Sequence, residues 1–326
     1  MKKLTLILLA VLLALTLIAC DKTPAGTTDT TDGTPAQTDA NGQPIETRPG
    51  NENNNGGNDT TAENPGTTAP TTIVLTFNGT QLSTSVQDTG IQAESNAFVI
   101  TRGGTYELKG DLSGGQIKVA VPKTEQVELI FNNFTASCNT SAPLYIESAD
   151  KCVINLAAGS VNTLTDATMY TYANPGDDKP NACIYSSDDL TIKGTGTLNV
   201  NGNYNNGIGC KNDIRIKDCT LNVTGVNNII KGNDSVEIEN ATVKLSGGED
   251  GIKSDNAERT DKGYILITAG SKVEINCLDD AIQATMSITV EAGCTVTGNC
   301  GGNALNCPGT INADEAAMQL VSAAQP

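Results

Sequence analysis

An all-β, right-handed, single-stranded parallel β-helix (a solenoid) is the fold class this sequence predicts, and three observations predict it. Short β-branched runs recur along the chain: "LTI" at 190–192, "IRI" at 214–216, "VEI" at 236–238, "ILI" at 265–267 and "ITV" at 288–290. Each is followed seven or eight residues later by a second run: "LNV" at 198, "LNV" at 221, "VKL" at 243, "VEI" at 273 and "TVT" at 295. A third apolar point then follows at Ile208, Ile230, Ile252, Ile282 and Leu305, at intervals of 22, 22, 30 and 23 residues. Three short alternating strands per turn, punctuated by Gly and Asn, stack as rungs about 4.8 Å apart, with alternate side chains pointing inward and outward. A propeller or sandwich calls for longer strands and hairpin turns.

The first nineteen residues read as a signal peptide. Lys2 and Lys3 precede an apolar run, Leu4 to Ile18, that is short for a bilayer span. The run closes on "LIAC", Leu17 to Cys20. A small residue before Cys20 resembles the bacterial lipobox, which implies lipidation of Cys20 and a place on the outer face of the cell membrane. The alternative is an ordinary secretory signal with a chance cysteine. Residues 20–72 add Thr, Asn, Asp, Gly and Pro with almost no large apolar side chain. Such a segment cannot offset its ordering entropy and reads as a disordered linker with a reach of about 40 Å.

Residues 73–326 form one folded domain. Residues 73–125 read as less regular β structure closing one end. The runs "VELIF" (127–131) and "CVINL" (152–156) open the regular rungs, with a long loop at 166–180. The long interval before Ile282 holds the insertion "AERTDKGY", 257–264. The Ala-rich "ADEAAMQLVSAA", 313–324, predicts a short helix capping the far end, and capped ends predict a monomer.

Charge narrows the function. The folded part carries a net charge of −13 within a whole-chain value of −17. Such a surface repels nucleic acid and, without an intervening cation, anionic polysaccharide. The absence of His removes Ser-His-Asp and Cys-His nucleophiles and His-ligated zinc. Nine cysteines follow Cys20, an odd number with no CxxC pair, so most read as small buried hydrophobes rather than a disulfide framework. The pattern points to an anaerobic or reducing habitat.

Aligning the rungs on the third apolar point exposes two columns. Just upstream stand Asn205-Asn206, Asn227-Asn228, Glu249-Asp250, Asp279-Asp280 and Gly302-Asn303. Stacked carboxylates about 5 Å apart repel, and a hard divalent cation removes that cost. Calcium takes six to eight oxygens from carboxylates, amides, carbonyls and water. Glu249, Asp250, Asp279 and Asp280, with Asn227 or Asn228, supply such a set. The alternative is that Asn and Asp serve only the turn, as left-handed residues and amide ladders. That alternative suits the Asn-Asn rungs best.

Just downstream lies an outward column: Tyr145, Tyr185, Gly209, Lys231, Lys253, Gln283 and Asn306. Tyr rings could stack on sugars, and the amides and ammonium groups could bind hydroxyls or carboxylates. Tyr170, Tyr172 and Tyr204 could extend that platform from nearby loops. The alternative is a solvated face with Lys253 paired to Asp250. The absence of Trp makes any sugar binding mainly polar or metal-mediated.

"TYELKGDLSGGQIKV" (105–119), "DDLTIKGTGTLNVNGNYNNGIGCKNDI" (188–214) and "EDGIKSDNAERTDKGYILI" (249–267) resemble a family of bacterial surface proteins. Those are calcium-binding right-handed parallel β-helices, carbohydrate-binding domains for cellulose and pectin-type ligands, similar in fold to the family 9 pectate lyases. The likeness spans roughly residues 74–306. It implies Ca2+ at Asp250, Asp279 and Asp280, and a polysaccharide partner. The chain departs at Asn228-Ile229, where the family often has Asp-Gly before the Ile, and at Asn206, where it often has His. Fewer charged ligands weaken metal binding.

Three functions compete. The first is a lipid-anchored, non-catalytic, calcium-dependent binder of plant cell-wall polysaccharide such as polygalacturonate or cellulose. The second is a calcium-dependent lyase, in which a lysine removes the C5 proton of a uronate: Lys253 first, Lys231 second. Neighbouring carboxylates oppose that role, and only Arg102, Arg215 and Arg259 could grip an acidic chain. The third is a metal-stiffened spacer or adhesin.

Overall fold

The computed structural model describes residues 71–174 and 176–324. The signal segment, Cys20 and the linker up to residue 70 lie outside the described residues. Among those described, every regular element is a strand, and the architecture is a parallel β-helix. Three columns of parallel strands build it. One column runs Asp189–Lys193, Asp213–Lys217, Ser235–Glu239, Tyr264–Ile267, Ser287–Val290 and Thr310–Ala313. The second runs Thr197–Asn201, Thr220–Gly225, Thr242–Gly247, Lys272–Cys277, Thr295–Cys300 and Met318–Ser322. The third runs Leu144–Ser148, Ala182–Ser186, Asn206–Cys210, Ile230–Gly232, Ile252–Ser254, Ile282–Ala284 and Leu305–Asn306.

The first two columns merge in the early turns. The strand Gln126–Ser137 pairs through residues 126–131 with Lys151–Leu156, then bends and pairs through residues 135–137 with Val161–Thr165. Asn133 takes the bend at φ 55°, a left-handed conformation that Asn tolerates better than most side chains.

Alternation does the packing. Ile208, Ile230, Ile252 and Ile282 stack in register and are fully buried. Each fully buried side chain of this size contributes about 1.5–3 kcal/mol relative to exposure. The four Phe of the chain gather at the N-terminal end. There Phe77 lies 5.4 Å from Phe98 and 5.5 Å from Phe134, ring centre to ring centre, and Phe131 lies 5.3 Å from Phe134. Two antiparallel pairs, Ile73–Gly79 with Gln81–Thr84 and Ile91–Ala93 with Ala97–Ile100, close that end.

The other end differs from expectation. No helix forms at 313–324: Thr310–Ala313 and Met318–Ser322 are strands that extend two columns by one rung. A tight turn, with the Ala317 N–H donating to Asp314 O at 3.1 Å, joins them. The previous rung offers a full row of unpaired backbone groups, and satisfying them outweighs the local helix propensity of Ala. The monomer expectation therefore loses the helical cap on which it rested.

Candidate functional site

The third column and the turn that feeds it carry the candidate site. Its strands are short, three to five residues over most rungs, so each rung presents one outward side chain between two turns. Tyr145, Tyr185, Gly209, Lys231, Lys253, Gln283 and Asn306 pair in that order, one per rung. Lys118 extends the row beyond Tyr145.

The upstream turn is a buried Asx ladder. Asn206 Oδ1 accepts from the Asn228 backbone N–H at 3.1 Å and from its Nδ2 at 2.9 Å. Asp250 Oδ1 accepts from the Asp280 N–H at 3.3 Å. Asp280 Oδ1 accepts from the Asn303 N–H at 2.7 Å and its Nδ2 at 2.9 Å. The ladder skips one bond: Asn228 Oδ1 is buried and finds no donor. The Asp250 side chain, which would supply one if it were Asn, carries only acceptors.

The acids meet at that break. Asp250, Asp279 and Asp280 each bring a carboxylate oxygen within 4.8 Å of the others. Asp250 and Asp280 are buried and Asp279 is exposed. Glu249 points to solvent and stays outside this group of three. Asp250 Oδ2 receives Lys253 Nζ at 2.8 Å, the pairing weighed above as the non-binding alternative. Asp280 Oδ2 receives Gln283 Nε2 at 3.0 Å and Asn306 Nδ2 at 2.5 Å. Burial disfavours its charge. The amides of Asn306, Asn303 and Gln283 outweigh burial and hold the Asp280 carboxyl below the usual range. For Asp279 burial comes first, and the charges of Asp280, Asp250 and Glu249 then push its carboxyl up.

Lys231 is not part of the acid cluster. Its Nζ reaches Asp255 Oδ2 in the next rung at 2.7 Å, leaving Asp255 Oδ1 buried without a partner. Between Lys231 and Tyr185 the row has only Gly209, and the missing side chain opens a groove of about 470 Å³. Lys179, Lys211 and Lys231 line it together with seven asparagines and Asp234.

The tyrosines are placed differently from the surface platform expected of them. Tyr185 is only 2% exposed, and Lys179 Nζ, from the end of the neighbouring loop, stands 5.9 Å from its ring centre. Its hydroxyl makes no hydrogen bond; Ser187 lies near without completing one. Tyr145 remains half-buried, 5.9 Å from Tyr185 between ring centres. Tyr204 is off the column, stacked at 4.2 Å on Tyr170, whose buried hydroxyl donates to Asp166 Oδ2 at 2.8 Å. Tyr172 OH donates to Pro180 O at 3.0 Å.

Lys179 and Lys211 were not foreseen. Lys211 was open to detection, since Lys211, Asn233 and Asp255 each stand three residues after the stacked Ile. Lys179 comes from a loop that carries no repeat. The nine cysteines of the described domain are all free thiols, seven of them buried.

Comparison with known proteins agrees with this architecture. A family model described as carbohydrate-binding domain-containing protein matches residues 94–324. A protein of that description from Acetivibrio thermocellus is 38% identical over 229 residues, which cover 70% of this chain and 79% of the relative. A solved structure, a gadolinium derivative of the polysaccharide lyase-like protein from C. thermocellum, superimposes with a TM-score of 0.74 at 38% identity. It covers 77% of this chain and 100% of its own. The chain belongs to the family of carbohydrate-binding domain-containing proteins.

Proposed function

We propose that the protein is a non-catalytic, calcium-dependent polysaccharide-binding protein, held by a lipid on Cys20 at the outer face of the cell membrane. Its ligand class is plant cell-wall glycan, of the polygalacturonate or cellulose type. The observation that carries the reading is the third column itself: a row of ammonium and amide groups set beside a cluster of three carboxylates.

The donor set fits calcium. Three hard carboxylate groups and the unpartnered Asn228 Oδ1 offer oxygen of the kind this ion selects. Asp279, whose carboxylate accepts no hydrogen bond from a described neighbour, brings the freest oxygens, and Asp250, Asp280 and Asn228 would complete the protein's share. Glu249, exposed just outside, fits a role in drawing the ion in. Bound there, calcium would neutralise the stacked acids and offer an electrophilic point for sugar oxygens.

The lyase reading draws support from the description of that relative as lyase-like. The geometry weighs against it. Lys253 Nζ donates to Asp250 and Lys231 Nζ to Asp255, and an ammonium so held has no lone pair with which to take a proton. Arg102, Arg215 and Arg259 are engaged with Asp88, Glu237 and Asp261.

Calorimetric calcium titration of the full chain tests the metal, with Asp279→Asn as the variant because its side chain is exposed. Heat of binding in the wild type that weakens at least tenfold in Asp279→Asn supports the cluster. No heat in either leaves the acids as turn residues. Pull-down on polygalacturonate and on cellulose, with and without chelator, tests the ligand. Ultraviolet-absorbing unsaturated product would favour the lyase, and no retention on either polymer would favour a spacer or adhesin.

A further inference from the structure

The groove at Gly209 adjoins the acid cluster, with Asn228 on the boundary of the two, and its chemistry is of the opposite sign. In a chain of net charge −17, three ammonium groups converge on it: Lys179, Lys211 and Lys231. Lys179 and Lys231 are each shared with a carboxylate, Asp178 at 2.9 Å and Asp255 at 2.7 Å. Lys211 has no ion-pair partner among the described residues. The one carboxylate of the lining, Asp234, is already occupied, taking Asn256 Nδ2 at 2.6 Å and Asn233 Nδ2 at 3.2 Å, with Lys262 Nζ at 3.8 Å.

A buried donor beside the groove is also unused. The Tyr185 side chain is 98% removed from solvent by its 2% exposure, it lines the groove, and its hydroxyl has no hydrogen-bond partner. A buried hydroxyl left unpaired costs about 1–3 kcal/mol, so something that accepts from it would recover that loss. Gly209 leaves room for it. A Cβ at this position would stand 3.1 Å from Ala182 Cβ and 3.4 Å from the Tyr185 ring, and any longer side chain would fill the opening.

We infer that this groove is a second, metal-independent binding site, which takes the carboxylate of an acidic sugar directly on Lys211 and Lys231, with the Tyr185 hydroxyl donating to the same ligand. Its seven asparagines both donate and accept, as sugar hydroxyls require, and its volume of about 470 Å³ falls in the ordinary range for small-ligand sites. A neutral glycan leaves the ammonium groups unmatched, so the site selects uronate over glucose units. The inference rests on the polysaccharide-binding reading and adds to it a position and a charge preference that do not involve calcium.

The test is calorimetry on the full chain in EDTA, with trigalacturonate and with cellotriose as probes. Trigalacturonate binds in chelator and cellotriose does not. Lys211→Gln and Tyr185→Phe each weaken trigalacturonate binding about tenfold, the usual scale for one hydrogen bond to a charged group. Tyr185→Phe removes only an unpaired hydroxyl, so its urea midpoint stays at or above that of the wild type while its affinity falls. A purely structural Tyr185 predicts no change in affinity. Trigalacturonate bound in chelator but untouched by both substitutions overturns the site. Binding that requires calcium also overturns it, yet leaves the calcium-dependent reading standing. Absence of binding by either sugar, with or without calcium, takes down both.

Discussion

Asp280→Asn separates what the acid turn does for the fold from what it could do for a cation. In the wild type the carboxylate takes four N–H donors, two from Asn303 on Oδ1 and one each from Gln283 and Asn306 on Oδ2. Asparagine can keep the Asn303 pair on its single oxygen. Its Nδ2 then faces the Gln283 and Asn306 amides, which must turn their carbonyl oxygens round to accept from it, and the charged acceptor is gone. Two hydrogen bonds to a charged acceptor are lost, each contributing about 1.5–3 kcal/mol. Both displaced amides are half-exposed and regain water, which places the net cost near the low end, about 2–4 kcal/mol. Urea unfolding in EDTA reads this without any metal. Asp279→Asn, which breaks no hydrogen bond and removes a like charge, stays within about 0.5 kcal/mol of wild type or gains slightly. An Asp280→Asn midpoint equal to wild type in EDTA would refute the amide clasp.

Other consequences follow from the core. Burial pushes the Cys152, Cys210 and Cys219 thiols up to about 12 and Cys277 to about 11. The unfolded thiols ionise near their ordinary value of about 8.5, so their stabilising effect is complete below that pH and is lost as pH rises towards the folded values. The unfolding free energy from urea titration should fall between about pH 8 and pH 10.5, by roughly 2 kcal/mol for each fully buried thiol, and Ellman's reagent at about pH 8 should find these thiols slow until the protein unfolds. Gly110 adopts φ 80° opposite Phe77, whose carbonyl oxygen a Cβ would strike. Gly110→Ala therefore costs at least about 2 kcal/mol by chemical denaturation. Ile252→Ala opens a cavity in the middle of the Ile column and costs about 2–5 kcal/mol by the same assay.

Much of this molecule is legible in its sequence because a solenoid turns one-dimensional spacing into three-dimensional neighbourhood. Aligning Ile208, Ile230, Ile252 and Ile282 gives the register of the third column residue for residue, and with it the row from Tyr145 to Asn306 and the meeting of Asp250 with Asp280. What the spacing does not carry is the second use of a side chain. Gln283 and Asn306 belong to the outward row, yet their amides turn back to Asp280. Lys253 likewise turns back to Asp250. The loop at 166–180 has no repeat to align, so nothing in the sequence said that it would bring Lys179 over the Tyr185 ring. At the C-terminal end the Ala-rich run favours a helix locally. The unpaired edge of the preceding rung is visible only once the rungs are stacked.

The insertion at 257–264 shows how little the column depends on the length of its loops. Ile252 and Ile282 are 30 residues apart, yet they pair as Ile208 and Ile230 do across 22. Stacking constrains the strands, and a surface loop adds only a slowly growing closure entropy. In the preceding rung Asp234 leads directly into Ser235, and Ser235 pairs with Tyr264. Asn256 occupies the equivalent turn and hydrogen-bonds Asp234 Oδ1 at 2.6 Å. Excising residues 257–263 therefore joins Asn256 to Tyr264 in the manner of Asp234 to Ser235, and leaves a rung of 23 residues, the spacing already present between Ile282 and Leu305. The losses are the Lys262 ammonium, which holds Asp213 at 2.7 and 3.0 Å, and the backbone bonds of Gly263 to Asp234, Met286 and Ser287, which the backbone of Asn256 must take over in the joined turn. A largely covered pair of this kind on a rung edge contributes about 1–2 kcal/mol. The shortened chain should keep the far-ultraviolet signature of the β-helix, with a slightly lower urea midpoint. A shortened chain that no longer folds would mean that the insertion staples the rungs, and that the register of the third column is held from the loop rather than from the buried isoleucines.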